Sequence, residues 1–116
     1  MGRRDDVLIK GSTVCPGLVS GTVKVVTKLA DISKVNSGDI MVVRNSSPAY
    51  ATGVMNSAGL ITERGGKLAH ICIVSMEMGI PSIANAEMAT ELLEDNMLVT
   101  LDATEGTVYG RSNGEY

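Results

Sequence analysis

The apolar positions of this chain change period several times, and each change marks an element. Val7-Leu8-Ile9 is a short apolar run that predicts a first strand. Residues 11–21 carry no clear period and predict a loop, with Pro16-Gly17 as its turn signal. Residues 21–27 are β-branched with partial alternation and predict the clearest strand. Residues 29–37 fit at most one helical turn, and Gly38-Asp39 turns into the apolar run Ile40-Met41-Val42-Val43. Ser46-Ser47-Pro48 predicts a helix start: a hydroxyl caps the first turn, and proline follows where its missing N–H costs nothing. Tyr50, Ala51, Val54 and Met55 would form that helix's apolar face. Gly59-Leu60-Ile61-Thr62 reads as a buried strand ending in Glu63-Arg64-Gly65-Gly66, a strand–loop–helix transition.

The next helix is expected over residues 68–78. Leu68, Ile71, Cys72 and Ser75 follow the i, i+3, i+4, i+7 spacing and predict its buried stripe, while His70 shares another edge with Ile73, Val74 and Glu77. Gly79 is its stop, with Pro81 two residues on. Ser82-Ile83-Ala84 predicts a short strand. Residues 86–94 predict a helix with Glu87, Glu91 and Glu94 toward solvent. Strands over residues 97–101 and 107–109 follow, separated by a turn in which Asp102 shapes the backbone. Alternating strands and helices in the second half imply βαβ units with parallel pairing, whereas the strand-rich first half reads as hairpin-like. The whole chain, 1–116, is expected to be one domain with frayed ends at 1–6 and 111–116.

Composition narrows the chemistry. The chain is 44% hydrophobic but only 3% aromatic, with no Phe or Trp, so the core must be aliphatic. So few stacking groups, together with a formal charge of −3, argue against nucleic-acid binding. No segment is long and apolar enough to span a membrane, and the first residues lack the apolar stretch of a signal peptide. Cys15 and Cys72 are therefore read as free thiols, and the cytoplasm as the expected compartment. Met41, Met55, Met76, Met78, Met88 and Met97 are most simply aliphatic fillers. Glu63 and Arg64 read as an exposed loop pair.

The only histidine, His70, stands behind Gly65-Gly66-Lys67-Leu68-Ala69 at an expected helix start. Glycines let a backbone approach an anion closely, and a helix N-terminus offers it free N–H groups. A neutral imidazole is a competent nucleophile, and the positive end of a helix dipole favours the neutral ring. One histidine without cysteine or carboxylate at ligand spacing does not close a metal site.

Residues 62–84 resemble the signature of the phosphohistidine, or swivelling, domain of phosphoenolpyruvate-utilising enzymes, roughly T-x-x-G-G-x-T-S-H-A-A-I-V-A-R-E-x-G-I-P. Thr62, Gly65, Gly66, His70, Ile73, Val74, Glu77, Gly79, Ile80 and Pro81 fall in register. Cys15-Pro16-Gly17 with Gly21, residues 38–42, and residues 99–109 resemble three further stretches of the family in the same order. The resemblance implies an α/β fold with three layers, β/β/α. It also implies that His70 takes a phosphoryl group, on Nε2, and hands it on. The backbone of Gly65, Gly66, Lys67, Leu68 and Ala69 would cradle the phosphate. The domain alone would bind no cofactor. By the same resemblance, magnesium with ATP or phosphoenolpyruvate would belong to partner domains or subunits that bind a nucleotide or phosphoenolpyruvate/pyruvate, so this chain would be a component of a phosphotransferase and not a complete enzyme. Against the family pattern, Leu68 and Ala69 replace two hydroxyl residues, Ile71 replaces alanine and Met76 replaces arginine. Those departures fit an alternative reading, a binding or regulatory module that keeps the fold without the chemistry.

Overall fold

A computed structural model describes residues 7–110; the ends expected to fray lie outside the described residues. Eight strands are present: β1 (Val7–Lys10), β2 (Ser12–Cys15), β3 (Leu18–Val26), β4 (Asp39–Val43), β5 (Gly59–Thr62), β6 (Ser82–Ala84), β7 (Leu98–Asp102) and β8 (Thr107–Gly110). They form one mixed sheet in the order β1-β8-β7-β3-β4-β5-β6-β2. Strands β3 to β6 run parallel, and β7, β8, β1 and β2 pair antiparallel with their neighbours. The two outermost strands, β1 and β2, are consecutive in the chain and joined by Gly11 alone. A sheet whose opposite edges are tied by one residue must curl over. The expected β/β/α layering is therefore met by one sheet folded into two β layers, with helices on the outside of its parallel part.

Period-two alternation decides which residues serve which side. Ile40 and Val42 of β4, Ile61 of β5 and Leu101 of β7 point into the curl, where they pack with Ile9, Val23, Ile83, Val99 and Val108. Met41 and Val43 of β4 and Leu60 of β5 point the other way and pack under the helices, against Val54 and Ile71. With both faces covered, β4 is buried at all five positions.

Helix α1 (Ala51–Asn56) follows a 3-10 turn over Pro48–Tyr50, whose cap is Ser47 accepting from the Ala49 N–H at 3.3 Å. Helix α2 (His70–Met78) ends on Gly79 in the left-handed conformation (φ 70°), and the Ile80 N–H donates to the Ser75 carbonyl at 2.9 Å. Helix α3 (Ala89–Leu92) is short.

Five expectations change. The predicted loop over residues 11–21 contains β2, a short half-buried strand whose partner, β6, is some seventy residues away, so no local pattern announces it. The described residues of the first half contain no hairpin: β3 pairs in parallel with β4 through a 3-10 turn over Leu29–Lys34, and β2 does not pair with β3. The helix predicted over residues 86–94 shrinks to four residues, because Asn85 (φ 56°) and Met88 (φ 67°) take the left-handed conformation just before it. Helix α2 starts two residues later than expected, which leaves Leu68 outside the buried stripe and 82% exposed, while Ile71, Cys72 and Ser75 are buried as expected. Finally, Met55, Met76, Met78 and Met88 are exposed; among the methionines read as fillers, Met41 is buried and Met97 half-buried.

Candidate functional site

The carboxyl ends of parallel strands β4 and β5 lie side by side. The Glu63 N–H donates to the Val43 carbonyl at 2.8 Å and the Arg64 N–H to the Arg44 carbonyl at 2.9 Å. The two loops that follow are therefore held together at one edge of the fold, where open parallel sheets place their ligand sites. Gly65 begins the second loop with φ 96°, a conformation that excludes most side chains. Gly66 has no such demand, and a methyl group added there would meet nothing within 4 Å. Gly66, Lys67 and Leu68 are exposed. The Ala69 N–H donates to the Gly66 carbonyl at 3.1 Å and closes the turn, and His70 opens α2 with its ring exposed.

The start of α2 is uncapped. Its cap residue is Ala69, extended at φ −60° and ψ 149°, and no side chain accepts from the first turn. The Ala69 carbonyl takes the N–H groups of Cys72 and Ile73, both at 3.0 Å. The earlier N–H groups of a helix have no partner within it and face whatever lies beyond the terminus. Serine or threonine at the cap would satisfy one of them; alanine leaves them for solvent or an anion. His70 makes no side-chain hydrogen bond with any described residue, so its ring is held by its place in the helix.

Glu63 is not the exposed loop residue that the sequence suggested. Its carboxylate accepts from the Thr90 hydroxyl at 2.6 Å and the Thr90 N–H at 2.8 Å, while Arg44 stands 4.0 Å away. Glu63 thus caps α3 from the foot of the histidine loop and ties that loop to the other side of the fold. Arg64, its neighbour, is exposed as expected. Sequence reasoning had no handle on this pair, because 27 positions separate its members. Burial pushes the Glu63 carboxyl up, but the two Thr90 hydrogen bonds and the charges of Arg44 and Arg64 outweigh it and leave the pKa below the ordinary 4.5. A carboxyl with a lowered folded pKa stabilises the fold above its unfolded pKa, and that contribution is lost as pH falls through the folded value. Glu63→Gln is therefore expected to flatten the acid limb of stability below about pH 4.5. Glu63→Ala, which strands the Thr90 donors, should cost roughly 1–3 kcal/mol at neutral pH. Urea melts across a pH series check both; parallel acid limbs in Gln and wild type would refute the assignment.

Cys72 and Cys15 are free thiols, Cys72 buried and Cys15 half-buried. Burial pushes the Cys72 thiol pKa up, in keeping with its place as a core thiol on the buried face of α2. Asp102 shapes its turn as expected, accepting from the Glu105 N–H at 3.1 Å. No helix among the described residues is long and apolar enough to cross a membrane.

The family described as "PEP-utilising enzyme, mobile domain" matches residues 35–106, which include both loops and the whole of α2. The chain belongs to that family. This mobile domain is 40% identical over 103 residues to a probable phosphoenolpyruvate synthase of Archaeoglobus fulgidus, covering 89% of the chain and 14% of that protein. It is 38% identical over 104 residues to phosphoenolpyruvate synthase of Pyrococcus furiosus, covering 90% of the chain and 13% of the relative. Against rifampicin phosphotransferase of a Streptomyces species the identity is 34%, over 91% of the chain and 12% of the relative. The mobile domain thus spans about one seventh or less of these relatives' length, and the rest of each consists of other segments. Among solved structures, Enzyme I superposes with a TM-score of 0.60 at 21% identity, over 72% of this chain and 35% of that one. Thermococcus kodakaraensis aconitase X reaches 0.66 at 17%, over 90% and 98%. Those two likenesses show the fold.

Proposed function

We propose that this domain is a phosphoryl carrier: His70 accepts a phosphoryl group at one partner site and delivers it at another. The observation that carries this reading is the single histidine of a mobile-domain chain, exposed on the first residue of an uncapped helix behind an exposed glycine turn. The imidazole lone pair attacks phosphorus and a phosphorus–nitrogen bond replaces the donor's phosphorus–oxygen bond. The backbone from Gly65 to Ala69 and the free N–H groups of α2 face the new negative charge, and the Lys67 ammonium can reach it through solvent. Phosphoryl transfer asks chiefly for positioning and charge stabilisation, so a net-acidic domain can carry the group while a partner site holds magnesium and the nucleotide or phosphoenolpyruvate. Relatives named phosphoenolpyruvate synthase, of which the domain is a small part, support a partner of that kind.

The test is labelling. The chain is mixed with candidate nucleotide- or phosphoenolpyruvate-binding partners and ATP or phosphoenolpyruvate carrying radioactive phosphorus. Acid-labile, alkali-stable label is expected on the wild-type chain and none on His70→Ala. If no partner labels the wild type, the carrier reading falls and a binding module, favoured by the absence of hydroxyls at Leu68 and Ala69, takes its place.

A further inference from the structure

The loop after β4 brings another hydroxyl residue, Ser46, to the Gly65 turn. Ser46 lies in the loop after β4, 24 positions before His70. A Cβ placed on Gly65 would stand 3.8 Å from the Ser46 Cβ and 3.9 Å from the Ala69 Cβ, with nothing nearer. Ser46 and Ala69 therefore flank the Gly65 turn, one contact length away on each count. Ser46 is half-buried, and its hydroxyl makes no hydrogen bond with any described residue. Its neighbour differs: the Ser47 hydroxyl is spent on the Ala49 N–H. Such a hydroxyl, open to solvent beside an uncapped helix start, is free to donate to an acceptor that binds there.

We propose that Ser46 binds the phosphoryl group on His70, donating its hydroxyl to a phosphoryl oxygen in place of the absent hydroxyls at positions 68 and 69. This rests on the carrier reading and gives it a residue that touches the transferred group. Charge-assisted hydrogen bonds of this kind are about twice as strong as neutral ones. The Ser46 bond acts on a dianionic group in the ground state, and a loose transition state carries less charge on those oxygens. The bond should therefore lengthen the life of the phosphohistidine.

The experiment uses the 116-residue chain and phosphoramidate as the donor. An imidazole nitrogen forms the bond to phosphorus, the phosphorus–nitrogen bond of the donor breaks, and ammonia leaves with the electron pair. Phosphorus NMR follows formation of the phosphohistidine and, after the donor is removed, its hydrolysis. In Ser46→Ala the phosphohistidine is expected to decay about five- to tenfold faster, with a displaced phosphorus resonance. Ser46→Thr, which keeps the hydroxyl, should retain the wild-type lifetime. A merely structural role would not be rescued in that way. Equal lifetimes in wild type and Ser46→Ala, with both labelled at His70, would overturn the Ser46 assignment and leave the carrier reading standing. A wild-type chain that phosphoramidate labels no better than His70→Ala would remove both.

Discussion

Gly106→Ala is expected to destabilise the domain by roughly 2–4 kcal/mol, lowering its melting temperature by about 10–20 °C. Two costs combine. Gly106 sits at φ 76°, where an L side chain is strained by about 1–2 kcal/mol. A methyl group there would also collide with the backbone carbonyl of Gly11, to which this turn is bound: the Gly11 N–H donates to the Gly106 carbonyl at 2.8 Å. Gly11 is the single residue joining the two edge strands, and the Thr13 hydroxyl pins the same turn through the Ala103 carbonyl at 2.6 Å. The methyl group would thus wedge open the seam at which the sheet closes. Gly38→Ala is the control. Gly38 shares the positive φ, 93°, but an added Cβ would meet nothing within 4 Å, so only the strain should appear. Thermal melts of the three proteins decide it; equal losses at Gly106 and Gly38 would show that the seam contact contributes nothing.

Ile71→Ala is expected to cost about 2–4 kcal/mol. The family pattern carries alanine at this position, so pattern alone rates the change as harmless. In this fold Ile71 is fully buried and packs with Val54, Leu60, Val43 and Met41 in the layer between α2 and the sheet. Truncation leaves a cavity one residue after His70 and loosens the helix start that presents the ring. Ile73→Ala, two residues on and 37% exposed, should change stability by no more than about 0.5 kcal/mol. Urea titrations test the pair, and an Ile71→Ala midpoint equal to that of Ile73→Ala would contradict the packing described.

Both predictions turn on contacts between distant segments, and that marks how far the sequence could be read. Strands β4 and β5 were legible because they are buried: a strand covered on both faces shows a continuous apolar run, as in Ile40-Met41-Val42-Val43. Strand β3, only partly buried, was legible from its β-branched, partly alternating residues. Strand β2 was not legible, because Ser12–Cys15 is half-buried and reads like a loop until β6 lies beside it. Helix α2 kept its stripe, Ile71, Cys72 and Ser75, and its glycine stop, both local properties. Its first residue depended on backbone geometry at the Gly65 turn, which the apolar spacing of Leu68 could not report.

The same division runs through the site. Local spacing alone placed His70 behind a glycine pair within the first turn of a helix, because chain neighbours fix that order; that it is the helix's first residue came from the fold. Composition determined an aliphatic core. Only the tertiary structure decided what surrounds the ring. Parallel pairing of β4 with β5 brings Ser46 to the Gly65 turn, and the return of the chain after β6 brings Thr90 to Glu63. No pattern within a stretch of sequence encodes such meetings. They follow from which strand ends the folded sheet places side by side, and that is set by burial summed over the whole chain.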